Sequence, residues 1–500
     1  MTKQQKVLFK SRYVLTPLLA ALALSACGGS DDNTSNGAST SSGTSTVAAA
    51  EAARPQDART FTPVVPTLTA LAGAPEADRW AGVNKGASYA IEVPKNWNGM
   101  LVMYAHGYAG TGANLVAQLP GIRRYLLEQG YAWAASSYSK NYYDVRAGVE
   151  DTNALARAFN DIAKANGRTL TAPTKTYITG FSMGGHITAA AVDEENIAAA
   201  NNKFRYNGAV PMCGVLGDTE LFDYFTAYQL AAQKEAGIPA TTWPVTNWTD
   251  IQPQVISKLF SSFPTAATPG AAAVPTAQGQ QLKTIVQNLT GGARPLFDVG
   301  YAGPLQGTVW STFGSDGTIT GILNDRVVST VNTVYQLDND PAISTAEQAY
   351  ADSTLRVAPV ADANRLRTDG LRWVPKTNAK INVPMVTIHT LGDMYVPFSM
   401  EQIYKRRADK LGTSDYLVQR AIRGVSHCDF TVAEQVAAFQ AMTDWEQKGV
   451  KPEGDDVLTP ATVADPKYGC KFTNNTFGVD DTSASTKAAR SNPAVIPDCN

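Results

Sequence analysis

The chain is 500 residues long, 44% hydrophobic and 17% charged, with a formal net charge of −2 at pH 7. That length suits one large domain with an insertion, or two domains. The faintly acidic balance argues against a nucleic-acid partner, and no internal repeat divides the chain.

At the N-terminus, Lys3, Lys6, Lys10 and Arg12 precede an apolar run over residues 14–24. The run is shorter than the ~20 residues a spanning helix needs, so residues 1–26 read as a signal peptide. It ends in Leu24, Ser25, Ala26 and Cys27, which resembles the lipobox of bacterial lipoproteins. The resemblance implies that Cys27 becomes a lipidated N-terminus anchored in the bacterial cell envelope. Gly28, where an inner-membrane lipoprotein carries Asp, points to the outer membrane, with the protein facing the periplasm or the surface. Loss of the leader removes four positive charges and no acids, so −2 − 4 = −6 for the mature chain. Residues 27–60, rich in Ser, Thr, Gly, Asn and Ala, cannot bury a core and read as a flexible tether.

Residues 61–217 read as the first part of an α/β core. Strands are expected over 87–93 and 100–105, the second followed by His106, Gly107 and Tyr108. A strand over 131–137 and a helix over 149–165, with Leu155, Ala158, Phe159 and Ile162 on one face, come next. Tyr177, Ile178 and Thr179 then form a short buried strand that runs into Gly180, Phe181, Ser182, Met183 and Gly184. This is GxSxG, in which a serine sits on a strained turn between strand and helix and the glycines avoid collisions with neighbouring backbone. A strand over 207–215 follows, and the alternation of strands with helices predicts a mostly parallel sheet.

Residues 218–377 break that alternation and are too long for a loop, so they read as an inserted cap. For aromatic residues within it, such as Phe222, Tyr224, Phe225, Trp243, Trp248, Trp310 and Phe313, core packing is the favoured role. The core resumes over residues 378–450, with a strand at 383–390 followed by Gly392, Asp393, Met394, Tyr395, Val396 and Pro397. Another strand is expected over 416–422, then a loop carrying His427 and Cys428. Thr431 with Glu434 makes a capping box for a closing helix over 432–448. Residues 451–500 form a C-terminal tail.

The elbow, the HG loop, an acid turn and a base loop in this order resemble the α/β-hydrolase family, over about residues 85–215 and 380–450. The resemblance implies a mostly parallel sheet with flanking helices, an inserted cap, and a triad of Ser182, His427 and Asp393. It also implies an oxyanion hole from the backbone N–H groups of Tyr108 and Met183, with His106 and Gly107 shaping the supporting loop. His427 ranks ahead of His389, and His186 lies on the elbow helix. The activity implied is that of a serine carboxylic ester hydrolase acting on a small or oligomeric ester. His427–Cys428 is further similar to tannases and feruloyl esterases, in which a disulfide joins the cysteine after the base to one beside the nucleophile. Here Phe181, not cysteine, precedes Ser182.

Cys27 aside, four cysteines in an exported chain predict two disulfides with three possible connectivities. Cys213–Cys428 with Cys470–Cys499 is favoured, because the first pair would join segments brought together near the triad. No CxxC or HxxxH cluster suggests a metal, and the chemistry calls for no cofactor. Three other readings remain at this level: a prolyl-type peptidase, a polyester or hydroxyalkanoate oligomer hydrolase, and a non-catalytic surface binding protein. Nothing in the sequence specifies an oligomeric state.

Overall fold

A computed structural model describes residues 58–268, 270–314 and 327–499. The expected signal peptide, Cys27 and nearly all of the tether lie outside the described residues. No described helix is long and apolar enough to cross a membrane.

Eight strands build the central sheet: β1 Ala77–Asn84, β2 Ala87–Pro94, β3 Met100–Ala105, β4 Ala132–Ser136, β5 Lys175–Phe181, β6 Gly208–Met212, β7 Met385–Thr390 and β8 Leu417–Ile422. They lie in the order 8-7-6-5-3-4-2-1. β2 runs antiparallel to both β1 and β4, and every other neighbouring pair is parallel. This is the α/β-hydrolase fold. Strands β4, β6, β7 and β8 are buried along their whole length, and β4 and β6 accordingly read as nearly apolar runs rather than alternating ones.

Most of the expected elements form within two residues of their boundaries. β1 is a strand that sequence pattern missed: in ADRWAGVN only Ala77 and Trp80 are buried, so there is no periodicity to read. Its Gly82 leaves room for the ring of Tyr89 across the pair, where a Cβ would stand 2.7 Å from the hydroxyl. Helix α1 is Arg123–Glu128, and α2, Val145–Ala165, starts four residues earlier than its apolar face suggests because Asp144 accepts the N–H of Ala147 at 2.9 Å. The elbow helix α3 is Met183–Ala191, followed by α4 Glu194–Ala199.

Among the described residues, the regular elements of the inserted segment are mainly helices: α5 Glu220–Glu235, α6 Trp248–Leu259, α7 Ala277–Leu289, α8 Phe297–Ala302, α9 Leu305–Trp310 and α10 Thr345–Asp352. Its aromatic residues pack on one another. Tyr228, Trp248, Phe260, Phe263, Trp310 and Phe313 stand with ring centroids 4.7–5.9 Å apart in successive contacts. These rings are continuous with the hydrophobic core on one side of the central sheet.

After the insertion come α11 Ser399–Leu411 and α12 Val432–Lys448, the latter capped reciprocally by Thr431 and Glu434. The tail carries α13 Pro460–Val463 and α14 Ala484–Arg490 and packs back on the core. Arg490 and Glu434, both fully buried, bond in parallel at 2.9 and 3.0 Å, and Arg124 bonds Asp480 at 2.7 and 3.0 Å.

Candidate active site

Ser182 sits between β5 and α3 with φ 57° and ψ −120°, a backbone conformation that a non-glycine residue holds only when its surroundings enforce it. Two contacts do so: its N–H donates to Met212 O at 3.0 Å, and its own carbonyl accepts the N–H of His186 at 3.0 Å. The flanking glycines explain the motif's spacing. A Cβ on Gly184 would fall 2.0 Å from Ala105 O, and one on Gly180 would fall 2.4 Å from the same atom. The elbow is therefore pressed against the end of β3.

His427 Nε2 stands 2.8 Å from Ser182 Oγ, and His427 Nδ1 stands 2.6 Å from Asp393 Oδ2. Asp393 is completely buried, and its other oxygen accepts the N–H groups of Tyr395 and Val396 at 2.9 and 3.0 Å. With Oδ1 occupied by two donors, Oδ2 is left to accept Nδ1–H, which makes Nε2 the acceptor for the serine hydroxyl. The structure thus brings together all three residues that the sequence order selects, from loops after β5, β7 and β8.

Cys213, directly after β6, is disulfide-bonded to Cys428, with their Cα atoms 5.3 Å apart. Cys428 Sγ lies 3.4 Å from His427 Nε2, so the bridge ties the base loop to the strand that also receives the Ser182 N–H. The second disulfide joins Cys470 to Cys499 within the tail. Both match the favoured pairing, and disulfides of this kind fit an oxidising compartment.

The HG loop passes Ser182 at contact distance. A Cβ on Gly107 would meet Phe181 O and Ser182 Cβ at 3.4 Å each. Tyr108 follows it, partly exposed, and Met183 is the first residue of α3, where a backbone N–H has no acceptor within the helix. His106 is buried, stacks on Tyr138 at 4.1 Å and has Nδ1 2.6 Å from Gly107 O, while Tyr138 Oη donates to His106 O at 2.9 Å. Burial pushes the His106 imidazole below its usual range, against the pull of the Gly107 and Ser137 carbonyls, as suits a loop support rather than a base.

The other two histidines are engaged elsewhere. His186 Nδ1 is 2.9 Å from Tyr143 Oη and its Nε2 2.8 Å from Pro375 O, and burial pushes it down to about 4. His389 bonds Val396 O at 2.8 Å and Glu401 Oε1 at 3.3 Å, 4.0 Å from Asp393 Oδ2. Burial works to lower its pKa, but the Glu401 hydrogen bond and the charges of Glu401 and Asp393 outweigh it and raise it. His389 therefore braces the acid turn and does not approach Ser182.

Sequence reasoning missed the groups that hold this turn from the insertion. Arg294 Nε donates to Leu391 O at 2.8 Å and Tyr224 Oη donates to Met394 O at 2.9 Å. Tyr395 presents its ring edge-on to His427 at 5.7 Å, and Phe225 packs on Tyr395 at 5.7 Å.

No family model matches the chain. It is 23% identical over 439 residues to the o-phthalyl amidase of Xanthobacter agilis, covering 77% of this chain and 91% of the amidase. Among solved structures, it is similar to feruloyl esterase B from Aspergillus oryzae with a TM-score of 0.39 and 16% identity, covering 75% of this chain and 81% of the esterase. It is also similar to the acylaminoacyl peptidase of Pyrococcus horikoshii, with a TM-score of 0.35, 9% identity and coverage of 77% of this chain and 44% of the peptidase.

Proposed function

We propose that this α/β-hydrolase is a serine hydrolase that cleaves carboxylic esters through an acyl-enzyme on Ser182. The observation that carries the reading is the unbroken hydrogen-bond relay of 2.8 and 2.6 Å from Ser182 through His427 to a buried Asp393. Attack of Ser182 Oγ on the acyl carbonyl passes its proton to His427 Nε2, and Asp393 stabilises the imidazolium that forms. The same proton then goes to the leaving alcohol. Water enters, gives a proton to His427 and attacks the acyl carbon, and Ser182 leaves with that proton restored. The N–H groups of Tyr108 and Met183 are the proposed oxyanion donors; each such donor is worth about 3–4 kcal/mol in the transition state.

The insertion is proposed as a cap that shapes the acyl pocket, with Phe225 and Tyr395 forming an apolar wall beside the base. A second reading, amide cleavage, is supported by the similarity to an o-phthalyl amidase, since the same base can protonate an amine leaving group. In the cell, a lipid anchor on Cys27 is proposed to hold the enzyme in the envelope.

The test compares wild type with Ser182→Ala on p-nitrophenyl esters of increasing acyl length, aryl esters, and p-nitroanilides of aliphatic and aromatic acids. Ester turnover that falls at least ~10³-fold in the variant supports the ester reading. Cleavage of anilides alone would move the assignment to an amidase, and wild-type rates in the variant would refute the triad.

A further inference from the structure

The insertion carries a buried cation that stands 5.2 Å over the Phe297 ring and also reaches out of the insertion to the acid turn. Arg294 lies between α7 and α8 and is only 7% exposed. Its guanidinium donates to Leu391 O at 2.8 Å, Gly292 O at 2.9 Å and Thr290 Oγ1 at 3.2 and 3.3 Å. All of these partners are carbonyls or a hydroxyl, and none is a carboxylate. A buried guanidinium with no carboxylate among its hydrogen-bond partners carries a large desolvation cost, and a Leu or Met there would fill the same space without it.

Its surroundings indicate what the charge does. Leu391 is two residues before Asp393, and the peptide units on both sides of that aspartate are met by the insertion. Leu391 O takes Arg294 Nε, and Met394 O takes Tyr224 Oη. Between them, Gly300 of α8 lies so close that a Cβ there would fall 2.0 Å from Gly392 O. Just beyond, Ser399 N–H donates to Thr290 O at 3.0 Å. From the sheet side the turn is held by Leu391 N–H to Ile422 O at 3.0 Å, by Gly392 N–H to Gly424 O at 2.9 Å and by His389 of β7, which bonds Val396 O at 2.8 Å. Tyr224 and Asp393 are the charged or chargeable groups that oppose the effect of burial on Arg294 and favour its cationic form.

We propose that Arg294 is a positioning residue for the Asp393–His427 pair: its terminal nitrogens anchor it to Thr290 and Gly292 of the insertion while its Nε–H holds Leu391 O on the turn that carries Asp393, and its charge biases the pair's electrostatics from the cap side. The proposal rests on the triad reading above. It makes the insertion part of the machinery that aligns the relay, in addition to whatever pocket it forms.

The other titratable groups around the pair are His389 on β7, Tyr395 on the acid turn and Tyr224 on α5, with Glu401 of α11 behind His389 and Tyr108 of the HG loop beside Tyr395. None of them changes in the test, which uses Arg294→Met and Arg294→Lys in the full chain. Methionine keeps the volume and removes both fork and charge. Loss of a nearby positive charge lets His427 protonate more readily, so the acid limb of the kcat/KM profile moves to higher pH by about half to one unit. A displaced acid turn also lowers kcat by about 10–100-fold with KM changed less than threefold, since relay geometry tolerates little shift. Lysine keeps the charge without the fork, so its acid limb stays at the wild-type pH while kcat still falls.

A folded Arg294→Met protein with wild-type kcat and an unmoved acid limb overturns the proposal. So does an Arg294→Lys protein with its limb shifted as far as the methionine variant's, and this arm remains decisive if Arg294→Met fails to fold. Ser182→Ala, run alongside, separates the two ideas: full activity in that variant refutes the triad itself, whatever Arg294 does.

Discussion

Asp393→Asn tests the relay with a change of a single atom. In the wild type, Oδ1 accepts two backbone N–H groups, at 2.9 Å from Tyr395 and 3.0 Å from Val396, while Oδ2 faces His427 Nδ1 at 2.6 Å. An asparagine has one acceptor and one donor. Turning its NH2 toward the two N–H groups would bury three donors against one another, so the amide oxygen keeps the Oδ1 place and the NH2 faces His427. There it donates to Nδ1, which forces the ring proton onto Nε2, 2.8 Å from Ser182 Oγ. The base then presents a proton to the serine instead of accepting one. A wrong tautomer in an otherwise intact triad costs about 10⁴-fold in kcat, or roughly 5.5 kcal/mol of transition-state stabilisation. Because both backbone N–H groups keep their acceptor, stability should change little, whereas Asp393→Ala would leave them unsatisfied at about 1–3 kcal/mol each. The assay is kcat/KM on the best p-nitrophenyl ester, paired with thermal unfolding. A folded Asp393→Asn protein within tenfold of wild type would refute the relay as drawn.

Replacing Cys213 and Cys428 together by alanine should cut kcat/KM at least about tenfold while near-UV circular dichroism stays native, because the bridge lies 3.4 Å from the base. Equal fractional losses of folded protein and of activity would instead make the bridge a plain staple. Gly184→Ala should destabilise by at least about 3 kcal/mol or fail to fold, since its Cβ would fall 2.0 Å from Ala105 O; a Tm within a few degrees of wild type would contradict the packing. Asp223, pushed up to about 8 by burial, with Glu220 and Asp218 adding to the shift against the pull of the Ser329 N–H, binds a proton in the folded state that it gives up when unfolded. Its contribution is therefore complete below pH 4 and is lost as pH rises towards 8, so Asp223→Asn should flatten that part of the Tm–pH curve; an unchanged curve would refute the shift.

The elbow was legible because its constraint is local and steric: only glycine fits at positions 180 and 184, and only a short side chain can present a hydroxyl between them. The base loop was legible because the capping box of Thr431 and Glu434 marks the start of α12 to the residue, leaving His427 on the loop before it. The disulfides were half legible, since an even cysteine count leaves three pairings open and only the convergence of β6 with the base loop selects one. β1 was not legible, with one large buried side chain in eight residues. Nor was Arg294, whose partner Leu391 is 97 residues away. A hydrogen bond to a carbonyl leaves no trace in the identity of the residue that offers it, so no sequence pattern could have paired them.

The tail was equally opaque, and its contacts give it a role beyond closing a disulfide. Arg490 Nη2 donates to Asp429 O at 2.6 Å, two residues past His427, while its pairing with Glu434 fastens the same side chain to the first turn of α12. The loop after β8 is tied at Ser426 O by Thr390 Oγ1 at 2.8 Å, at Cys428 by the bridge to Cys213, and at Asp429 by the tail. The acid turn, in the same way, is tied by the insertion at Leu391 and Met394. Nucleophile, acid and base sit at the ends of three different strands, where loops are the least constrained part of a fold. The serine is fixed by the sheet and its own helix. The other two are tied to the sheet through His389, Thr390 and Cys213 and also to segments outside it, so on the proposed reading the insertion and the tail take part in aligning the relay.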